Sequence, residues 1–290
     1  MNPFLHKIDQ MIQTELPVNC KEIPKDSIMF IYSNHHLFHM IELQRQAMDT
    51  WGQRECLESR FIRICLDEKC IEKCKENSVP NCVHVHLPHV PRAGFGDSSH
   101  QDVYNYMTWL KHEFTFAALL HTKEVFFFDV DVVLFRNPWT EVPIGRSDTT
   151  GLDVVDTTYD IRYQREMGRK QMGCGGTVNS GVMYFRNSSI LHTDYIPFMM
   201  NEKEKIVLNT AGRLDQDFMH DHVWRSRHTL KHCALPANKF VGHCEFGRDA
   251  FRPTIAKEMI TYHTNCAGGH EKFPILKRIV SQATSDSLVY

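Results

Sequence analysis

Apolar segments of strand length alternate with segments of helical periodicity along the first half of the chain. Strands are predicted at 28–32, 61–66, 83–87 and 125–128. The clearest helix is predicted at 101–121, where Met107, Leu110 and Phe114 fall three or four residues apart and form an apolar stripe along one face. A further helix is predicted at 40–51. This alternation is typical of an α/β protein, with a parallel or mixed sheet covered by helices on both faces.

The second half of the chain is less regular. Strands are predicted at 152–156, 178–185 and 259–263, and helices near 189–205 and 215–224. Two segments rich in glycine or proline, 88–100 and 160–177, are interpreted as loops. Since 290 residues lie near the size at which one hydrophobic core stops growing, a single domain is predicted.

Composition excludes two classes of protein. The 33 lysines and arginines nearly balance the 35 aspartates and glutamates, so the chain has neither the cationic surface of a nucleic-acid-binding protein nor the high net charge of a disordered one. No segment approaches the roughly 18 consecutive apolar residues of a membrane helix, and the N-terminal residues do not follow the pattern of a secretory signal. We therefore predict a chain without a membrane span.

The ten cysteines lie in a long chain that has no visible export signal. Free thiols are therefore predicted in preference to disulfides, and with them a cytoplasmic location. A chain of the Golgi lumen whose N-terminal anchor had been removed would show the same sequence features, and this alternative stays open.

Two carboxylates follow an apolar run abruptly in Phe126-Phe127-Phe128-Asp129-Val130-Asp131. Residues two apart on a strand share a face, so Asp129 and Asp131 are predicted to project to the same side of a strand end. Two close carboxylates repel each other, and burying them is costly unless a cation neutralises them. Mg²⁺ and Mn²⁺ prefer oxygen ligands and leave positions open for a substrate's phosphates. The pair therefore predicts a divalent-metal site at this edge of the sheet.

Two other interpretations of the pair stay open. The aspartates could end the strand in a solvated turn, although apolar residues on both sides favour a strand that continues to Asn137. Asp129-Val130-Asp131-Val132-Val133 also resembles the first motif of haloacid-dehalogenase-like phosphatases, which would use Asp129 as a nucleophile with Mg²⁺. Those enzymes need a later acidic motif to complete the magnesium site, and the chain has neither form of that motif downstream of Val133.

The wider order of motifs resembles the nucleotide-diphospho-sugar transferases with the GT-A fold, in particular glycosyltransferase family 77 and more distantly the glycogenin-like family 8. The motifs that carry the resemblance span roughly residues 28–280. They are a helix with Lys111 that leads into Asp129-Val130-Asp131, then Asn179-Ser180-Gly181, then Leu214-Asp215-Gln216, then His263-Thr264-Asn265 with Gly269 and Lys272 behind it. The resemblance implies a GT-A, Rossmann-like domain at 1–290, with an N-terminal extension at 1–27, a nucleotide-binding half at 28–140 and an acceptor- and sugar-binding half at 141–290.

The same resemblance implies which residues bind the metal and the donor. Asp129, Asp131 and His263 would hold Mn²⁺ or Mg²⁺, and the imidazole nitrogen favours Mn²⁺. The implied donor-binding residues are Tyr32, Ser33, Asn34, Lys111, Asp129, Val130, Asn179, Ser180, Gly181, Gly269 and Lys272. Residues 32–34 match the place where such folds hold uracil and ribose. Lys272 would set a positive charge against the departing diphosphate.

Catalytic roles are implied for Asp215, Gln216 and Lys272. Asp215 and Gln216 match an Asp-Gln pair beside the reacting carbon of the sugar, where a carboxylate stabilises an oxocarbenium-like transition state, and a helix N-cap is the structural alternative. The implied activity is retaining transfer of galactose, or of xylose or arabinose, from a UDP-sugar to a hydroxyl of a glycan or glycoprotein acceptor. Segments 88–100 and 160–177 would build the acceptor pocket. A non-catalytic protein that binds sugar nucleotides or glycans is the remaining alternative.

Overall fold

The computed structural model describes residues 2–87, 101–146, 153–155, 158–166, 176–246 and 257–287. Its helices are α1 (Pro3–Gln13), α2 (Phe38–Asp49), α3 (Arg54–Glu58), α4 (Glu68–Glu76), α5 (Gln101–Leu119), α6 (Ile196–Val207), α7 (Asp215–Arg225), α8 (His243–Phe246) and α9 (Gly269–Ser287). Its strands are β1 (Ser27–Ser33), β2 (Phe61–Cys65), β3 (Cys82–His84), β4 (Glu124–Phe128), β5 (Val132–Leu134), β6 (Ile144–Arg146), β7 (Asp153–Val155), β8 (Ile161–Arg165), β9 (Val178–Arg186), β10 (His232–Ala234), β11 (Phe240–Gly242) and β12 (Thr261–His263).

The largest sheet has seven strands in the order β3-β2-β1-β4-β9-β8-β10. Its pairs are parallel except for the two that β9 makes, with β4 and with β8. The prediction of a mixed, mostly parallel sheet is therefore confirmed. After β3 the chain returns to β4 on the other side of β1, so the strand order switches direction between β1 and β4. Open α/β sheets bind their ligands outside the strand ends at such a switch.

Alternate residues of β1 face two different helical layers. Ile28, Phe30 and Tyr32 belong to a hydrophobic cluster that includes residues of α1 and α5. Met29 and Ile31 belong to a second cluster, which includes residues of α2 and α4. Because both faces of this strand are covered, its sequence is continuously apolar rather than alternating.

The helices in contact with β1 include the one that the sequence predicts most clearly. α5 buries its predicted stripe, since Met107, Leu110 and Phe114 are all at most 5% exposed. The segment at 1–27 contributes α1, whose Phe4 and Ile8 are fully buried in the same cluster. None of the helices in the described ranges is both long enough and apolar enough to cross a membrane.

The apolar run at 125–135 is two strands rather than one. β4 ends at Phe128, the backbone carbonyl of Asp129 accepts a hydrogen bond of 3.0 Å from the Val132 amide, and β5 begins at Val132. The prediction that Asp129 and Asp131 lie on a strand is therefore wrong. The chain turns here because β5 leaves the large sheet and joins β11 and β12 in a three-stranded sheet. Within this turn Asp131 is only 6% exposed, whereas the Asp129 side chain is 28% exposed.

One of the two predicted loops contains a strand of the large sheet. β8 lies within 160–177 and pairs with both β9 and β10, so the interpretation of 160–166 as loop is wrong. A five-residue strand between glycine-rich neighbours gives a weak periodic signal, which explains the error. The segments 88–100 and 167–175 lie outside the described residues.

The cysteines of the described chain are paired. Disulfides join Cys20 to Cys56, Cys65 to Cys70, Cys74 to Cys82 and Cys244 to Cys266, and Cys233 is also disulfide-bonded. The prediction of free thiols is wrong, because it rested on chain length and the lack of an export signal. Pairing depends instead on which elements pack together, and β2, α4 and β3 do so.

We expect the disulfide between Cys20 and Cys56 to contribute substantially to stability. The two residues are 36 positions apart, so the cross-link restricts a long segment of the unfolded chain. Replacing both by serine should lower the free energy of unfolding by about 2–4 kcal/mol, measured by urea denaturation. The pair Cys65 and Cys70 is only 5 positions apart, and its double serine variant should cost less. An unchanged urea midpoint for the first variant would show that the Cys20–Cys56 bond does not form.

Candidate functional site

A cavity of about 340 Å³ opens where β1 and β4 end. Its lining residues include Tyr32 from β1, Tyr104, Met107, Thr108 and Lys111 from α5, Asp129, Val130 and Asp131 from the β4–β5 turn, Asn179, Ser180 and Gly181 from β9, Asp215 and Gln216 from α7, His263 from β12, and Gly269 and Lys272 from α9. Polar and charged side chains from distant parts of the sequence thus converge at the switch in strand order.

Asp129, Asp131 and His263 lie together at one side of this cavity. Each offers a ligand atom, and these atoms lie within 4.8 Å of one another. β12 is antiparallel to β5 and pairs His263 with Val132, the residue after Asp131, so the sheet register brings the imidazole next to the turn. His263 Nε2 lies 3.5 Å from Oδ1 of Asp131. The three residues that the sequence implies as metal ligands therefore come together.

Asp131 carries a strongly stabilised negative charge. Its Oδ2 lies 2.7 Å from Lys272 Nζ and accepts a hydrogen bond of 3.0 Å from the Thr264 hydroxyl. Burial by itself would raise the pKa of Asp131, but the neighbouring His263 and the charge and hydrogen bond of Lys272 outweigh burial and hold that pKa well below its usual range. Asp131 is therefore ionised at neutral pH.

Asp129 experiences the opposite balance. Burial raises its pKa, and the neighbouring charge of Asp131 acts in the same direction, although Lys111 Nζ lies 3.5 Å from Oδ1 of Asp129 and opposes the shift. The ligand atoms of Asp129 and Asp131 lie within 4.8 Å of each other. Additional positive charge between them would stabilise the ionised form of both carboxylates. A bound divalent cation would supply that charge.

Lys111 connects the metal-binding side of the cavity to α7. Its Nζ lies 3.5 Å from Oδ2 of Asp215 and donates a hydrogen bond of 3.0 Å to the Ser180 hydroxyl. Oδ2 of Asp215 also lies 3.1 Å from Nε2 of the fully buried His112. Burial alone would lower the pKa of Lys111, but Asp129 and Asp215 raise it overall. Burial alone would raise the pKa of Asp215, but Lys111 and His112 hold it well below its usual range. Lys111 and Asp215 thus form a buried ion pair.

Most of the residues that the sequence implies for the donor line the cavity. Tyr32 is among them, and its hydroxyl donates a hydrogen bond of 2.6 Å to the Met107 carbonyl. Ser33 and Asn34 are not among the lining residues. The Asn34 side chain accepts hydrogen bonds from the amides of His36 and Leu37 and so caps the short helix that follows β1. Asp215 and Gln216 lie in the first turn of α7, and both line the cavity.

Sequence reasoning missed several residues of the site. Tyr104, Met107, Thr108 and Glu166 line the cavity. Thr264 donates to Asp131, and His112 contacts Asp215. The amide nitrogen of Gln44, a buried side chain of α2, donates to the carbonyls of Val130 at 3.3 Å and Val132 at 2.8 Å and so braces the aspartate turn. A polar residue on an apolar helix face is the only sequence signal that could have drawn attention to His112 and Gln44.

The three cavity residues fit a divalent cation of the Mn²⁺ or Mg²⁺ type. Two carboxylates and one imidazole supply oxygen and nitrogen ligand atoms, and the open cavity leaves positions for further ligands. Two other groups in the described residues have close ligand atoms, but both depend on cysteines whose sulfurs are in disulfides. A disulfide sulfur is not a thiolate ligand, so these groups do not suit a metal ion.

The fold is similar to several solved glycosyltransferase structures. One is a glycosyltransferase involved in glycosylation of the major capsid of PBCV-1, at 12% identity and a TM-score of 0.46, covering 87% of this chain and 99% of that chain. Another is the galactosyltransferase LgtC in complex with donor and acceptor sugar analogs, at 11% identity and a TM-score of 0.48. The match covers 89% of this chain and 95% of that chain. A third is mouse xyloside xylosyltransferase 1, at 14% identity and a TM-score of 0.49. The match covers 84% of this chain and 99% of that chain.

The family model described as nucleotide-diphospho-sugar transferase matches residues 56–273, about three quarters of the chain. A comparison with curated proteins finds no significant match. The segment matched by the family model includes Lys111, Asp129, Asp131, Asp215 and His263.

Proposed function

Because the chain belongs to the nucleotide-diphospho-sugar transferase family and is therefore a glycosyltransferase, we propose that it is a metal-dependent, retaining enzyme that uses a UDP-sugar. The single observation that supports this proposal best is the cluster of Asp129, Asp131 and His263 at the switch in strand order. Two acidic side chains and a histidine that line one side of a cavity suit a cation that binds a diphosphate.

Asp129, Asp131 and His263 would hold Mn²⁺, with Mg²⁺ as the second choice. When bound, the cation supplies Lewis-acid stabilisation of the negative charge that develops on the leaving diphosphate. Lys272 lines the cavity beside Asp131, its side chain is 32% exposed, and it offers a second positive charge for the same oxygens. Thr264 keeps the Asp131 carboxylate oriented through its hydroxyl.

Donor binding is assigned to residues on both sides of the cavity. Tyr32 lies where the nucleoside is expected, and Asn179, Ser180 and Gly181 on β9 offer backbone and side-chain groups to the sugar hydroxyls. Gly269 leaves space at the start of α9, since a Cβ there would meet nothing within 4 Å. Lys111 Nζ contacts Asp129, Asp215 and Ser180. We therefore assign it the role of positioning these three side chains in addition to any contact with the donor.

We assign Asp215 and Gln216 to the sugar end of the donor. Asp215 is paired with Lys111 and His112 and is 2% exposed, which suits a fixed negative charge near the reacting carbon better than an attacking nucleophile. In the retaining reaction that we propose, the acceptor hydroxyl attacks from the face that UDP leaves, and the departing phosphate oxygen takes its proton. The protein then contributes mainly by positioning and by fixed charge.

Galactose is the transferred sugar that we propose first, followed by xylose and arabinose, and the acceptor would be a hydroxyl of a glycan or glycoprotein. The test is release of UDP from a panel of UDP-sugars with Mn²⁺, with Mg²⁺ and with EDTA. Release that requires Mn²⁺ and one sugar supports the proposal. Release of phosphate from an aryl phosphate would instead support the phosphatase alternative. Binding of UDP without turnover of any donor would support a non-catalytic binder.

We further propose that the enzyme works in an oxidising compartment such as the Golgi lumen rather than in the cytoplasm. The support is the set of disulfides, because such bonds persist in secretory compartments and are rare in the reducing cytosol. Mass spectrometry of alkylated protein purified from its native source tests this, since cysteines that are alkylated without prior reduction would count against it.

A further inference from the structure

The imidazole of His263 lies against a gap in the large sheet. β8 and β9 pair regularly from Ile161 with Phe185 to Tyr163 with Met183, but the next pair is Gln164 with Asn179. Residues 180–182 of β9 therefore have no partner on β8. Such irregularities redirect side chains next to active sites.

Gly181 lies in this gap and shows how closely the ring approaches. A Cβ at position 181 would overlap Cε1 of His263 and would lie 2.8 Å from its Nδ1 and 2.9 Å from Oδ2 of Asp129. The glycine thus permits the imidazole and the Asp129 carboxylate to come within reach of a common point.

Gln164, at the edge of the gap, contacts the other side of the ring. Its side chain is 1% exposed, and its Nε2 donates a hydrogen bond of 3.2 Å to the backbone carbonyl of Phe240. A carbonyl oxygen only accepts, so this bond fixes which end of the amide is nitrogen and turns Oε1 towards His263. Oε1 lies 2.6 Å from His263 Nδ1.

The contact determines which ring nitrogen of His263 carries the hydrogen. Because Oε1 of Gln164 can only accept, Nδ1 is the donor. In the neutral imidazole the lone pair is then on Nε2. Nε2 is the nitrogen that lies 3.5 Å from Oδ1 of Asp131. The nitrogen with the free lone pair is thus the one that faces the Asp131 carboxylate.

We propose that Gln164 is a positioning residue that fixes the tautomer and ring orientation of His263 for metal binding. The inference rests on the proposed function of Asp129, Asp131 and His263. Groups that hold the second nitrogen of a ligand histidine typically change metal affinity by about 10–100-fold when removed. Without an acceptor at Nδ1, the hydrogen could move to Nε2 and form a hydrogen bond with Asp131. The lone pair would then be on Nδ1 and no longer on the nitrogen that faces Asp131.

The experiment compares Gln164→Met with the wild type in titrations of nucleotide-free protein with Mn²⁺, followed by electron paramagnetic resonance. We expect the methionine variant to raise the Kd for Mn²⁺ by about 10–100-fold. Gln164→Glu keeps an oxygen towards Nδ1 but loses the donor to the Phe240 carbonyl, so it should retain more of the affinity than Gln164→Met. Thr122→Val is the control for a lost buried hydrogen bond, because Thr122 donates to the Ala118 carbonyl within its own segment, and it should leave the Kd unchanged.

A second readout does not depend on the metal. The ¹⁵N resonances of the His263 ring, recorded without metal at about pH 8, where an ordinary imidazole is neutral, should show a protonated Nδ1 in the wild type and in Gln164→Glu. In Gln164→Met they should show a shift of the hydrogen towards Nε2. An unchanged tautomer together with an unchanged Kd in Gln164→Met would overturn the inference. A wild type that binds no Mn²⁺ would overturn the proposed metal site, and the ring resonances would still decide the role of Gln164.

Discussion

Replacing Asp131 with asparagine is expected to lower kcat/KM for sugar transfer by about 10³-fold or more. The substitution removes one charge from the cluster and leaves His263 and Lys272 without their shared carboxylate. The neutral amide still offers an oxygen to the Thr264 hydroxyl, so the fold of the turn should survive. Two measurements check this result: the rate of UDP release at saturating Mn²⁺ and the Kd for Mn²⁺ itself.

Asp217→Asn is the matched control for the Asp131 variant. The Asp217 carboxylate accepts a hydrogen bond of 3.0 Å from the Leu214 amide and caps α7, but Asp217 is not among the residues that line the cavity. Asparagine keeps an oxygen for the Leu214 amide, so the replacement should cost less than about 1 kcal/mol of stability and leave UDP release within about two-fold of the wild type. Full activity in Asp131→Asn would mean that the metal assignment is wrong.

The sequence predicts the site better than it predicts the local structure around it. Burying two neighbouring carboxylates costs free energy whether the pair lies on a strand or in a turn. An acidic pair after an all-apolar run therefore indicates a functional site in either case. Asp129, Asp131 and His263 therefore come together even though the prediction of one continuous strand was wrong, and the metal site itself stays a prediction. What the pattern could not show is that β5 leaves the large sheet at Val132, because strands of two different sheets have the same apolar character.

The residues that support the site were not predictable in the same way. His112, Gln164 and Thr264 are ordinary polar residues in sequence, and their roles arise from contacts across 103, 99 and 133 positions of the chain. The resemblance to a known family identified His263 and Asp215 as candidate site residues. Such a resemblance points to residues expected to contact ligands and does not identify the residues that orient them.

The fold shows the same division between local and distant information. The helices and strands with strong periodicity, such as α5 and β1, were predicted because their signal is local. The antiparallel direction of β9, the short strand β8 and the disulfides depend on which elements become neighbours. Neither strand direction nor cysteine pairing is encoded in the spacing of apolar residues.

Asp215→Asn is the second substitution with a large expected effect, and it affects stability as well as catalysis. The variant leaves the fully buried Lys111 with Asp129 as its only remaining carboxylate partner in the described cavity. Removing one member of a buried ion pair typically costs about 3–5 kcal/mol of stability. We also expect kcat to fall by about 10²-fold or more, because the fixed negative charge near the sugar is lost.

The loss of stability in Asp215→Asn should depend on pH in a defined direction. Lys111 and His112 hold the folded-state pKa of Asp215 below its unfolded value, so the contribution of the carboxylate is fully present above about pH 4 and is lost as the pH falls through the folded pKa. The difference in unfolding free energy between wild type and variant should therefore be largest near neutral pH and should shrink below pH 4. Urea denaturation at several pH values measures it.

The double variant Lys111→Met with Asp215→Asn separates the structural effect from the catalytic one. Because it removes both buried charges, it should recover part of the stability that Asp215→Asn loses, as replacement of whole buried ion pairs often does. It should not recover kcat, since the charge near the sugar and the positioning of Asp129 and Ser180 by Lys111 are both lost. If kcat returned together with stability, Asp215 would have only a structural role. If stability did not return, the two residues would not be energetically coupled as an ion pair.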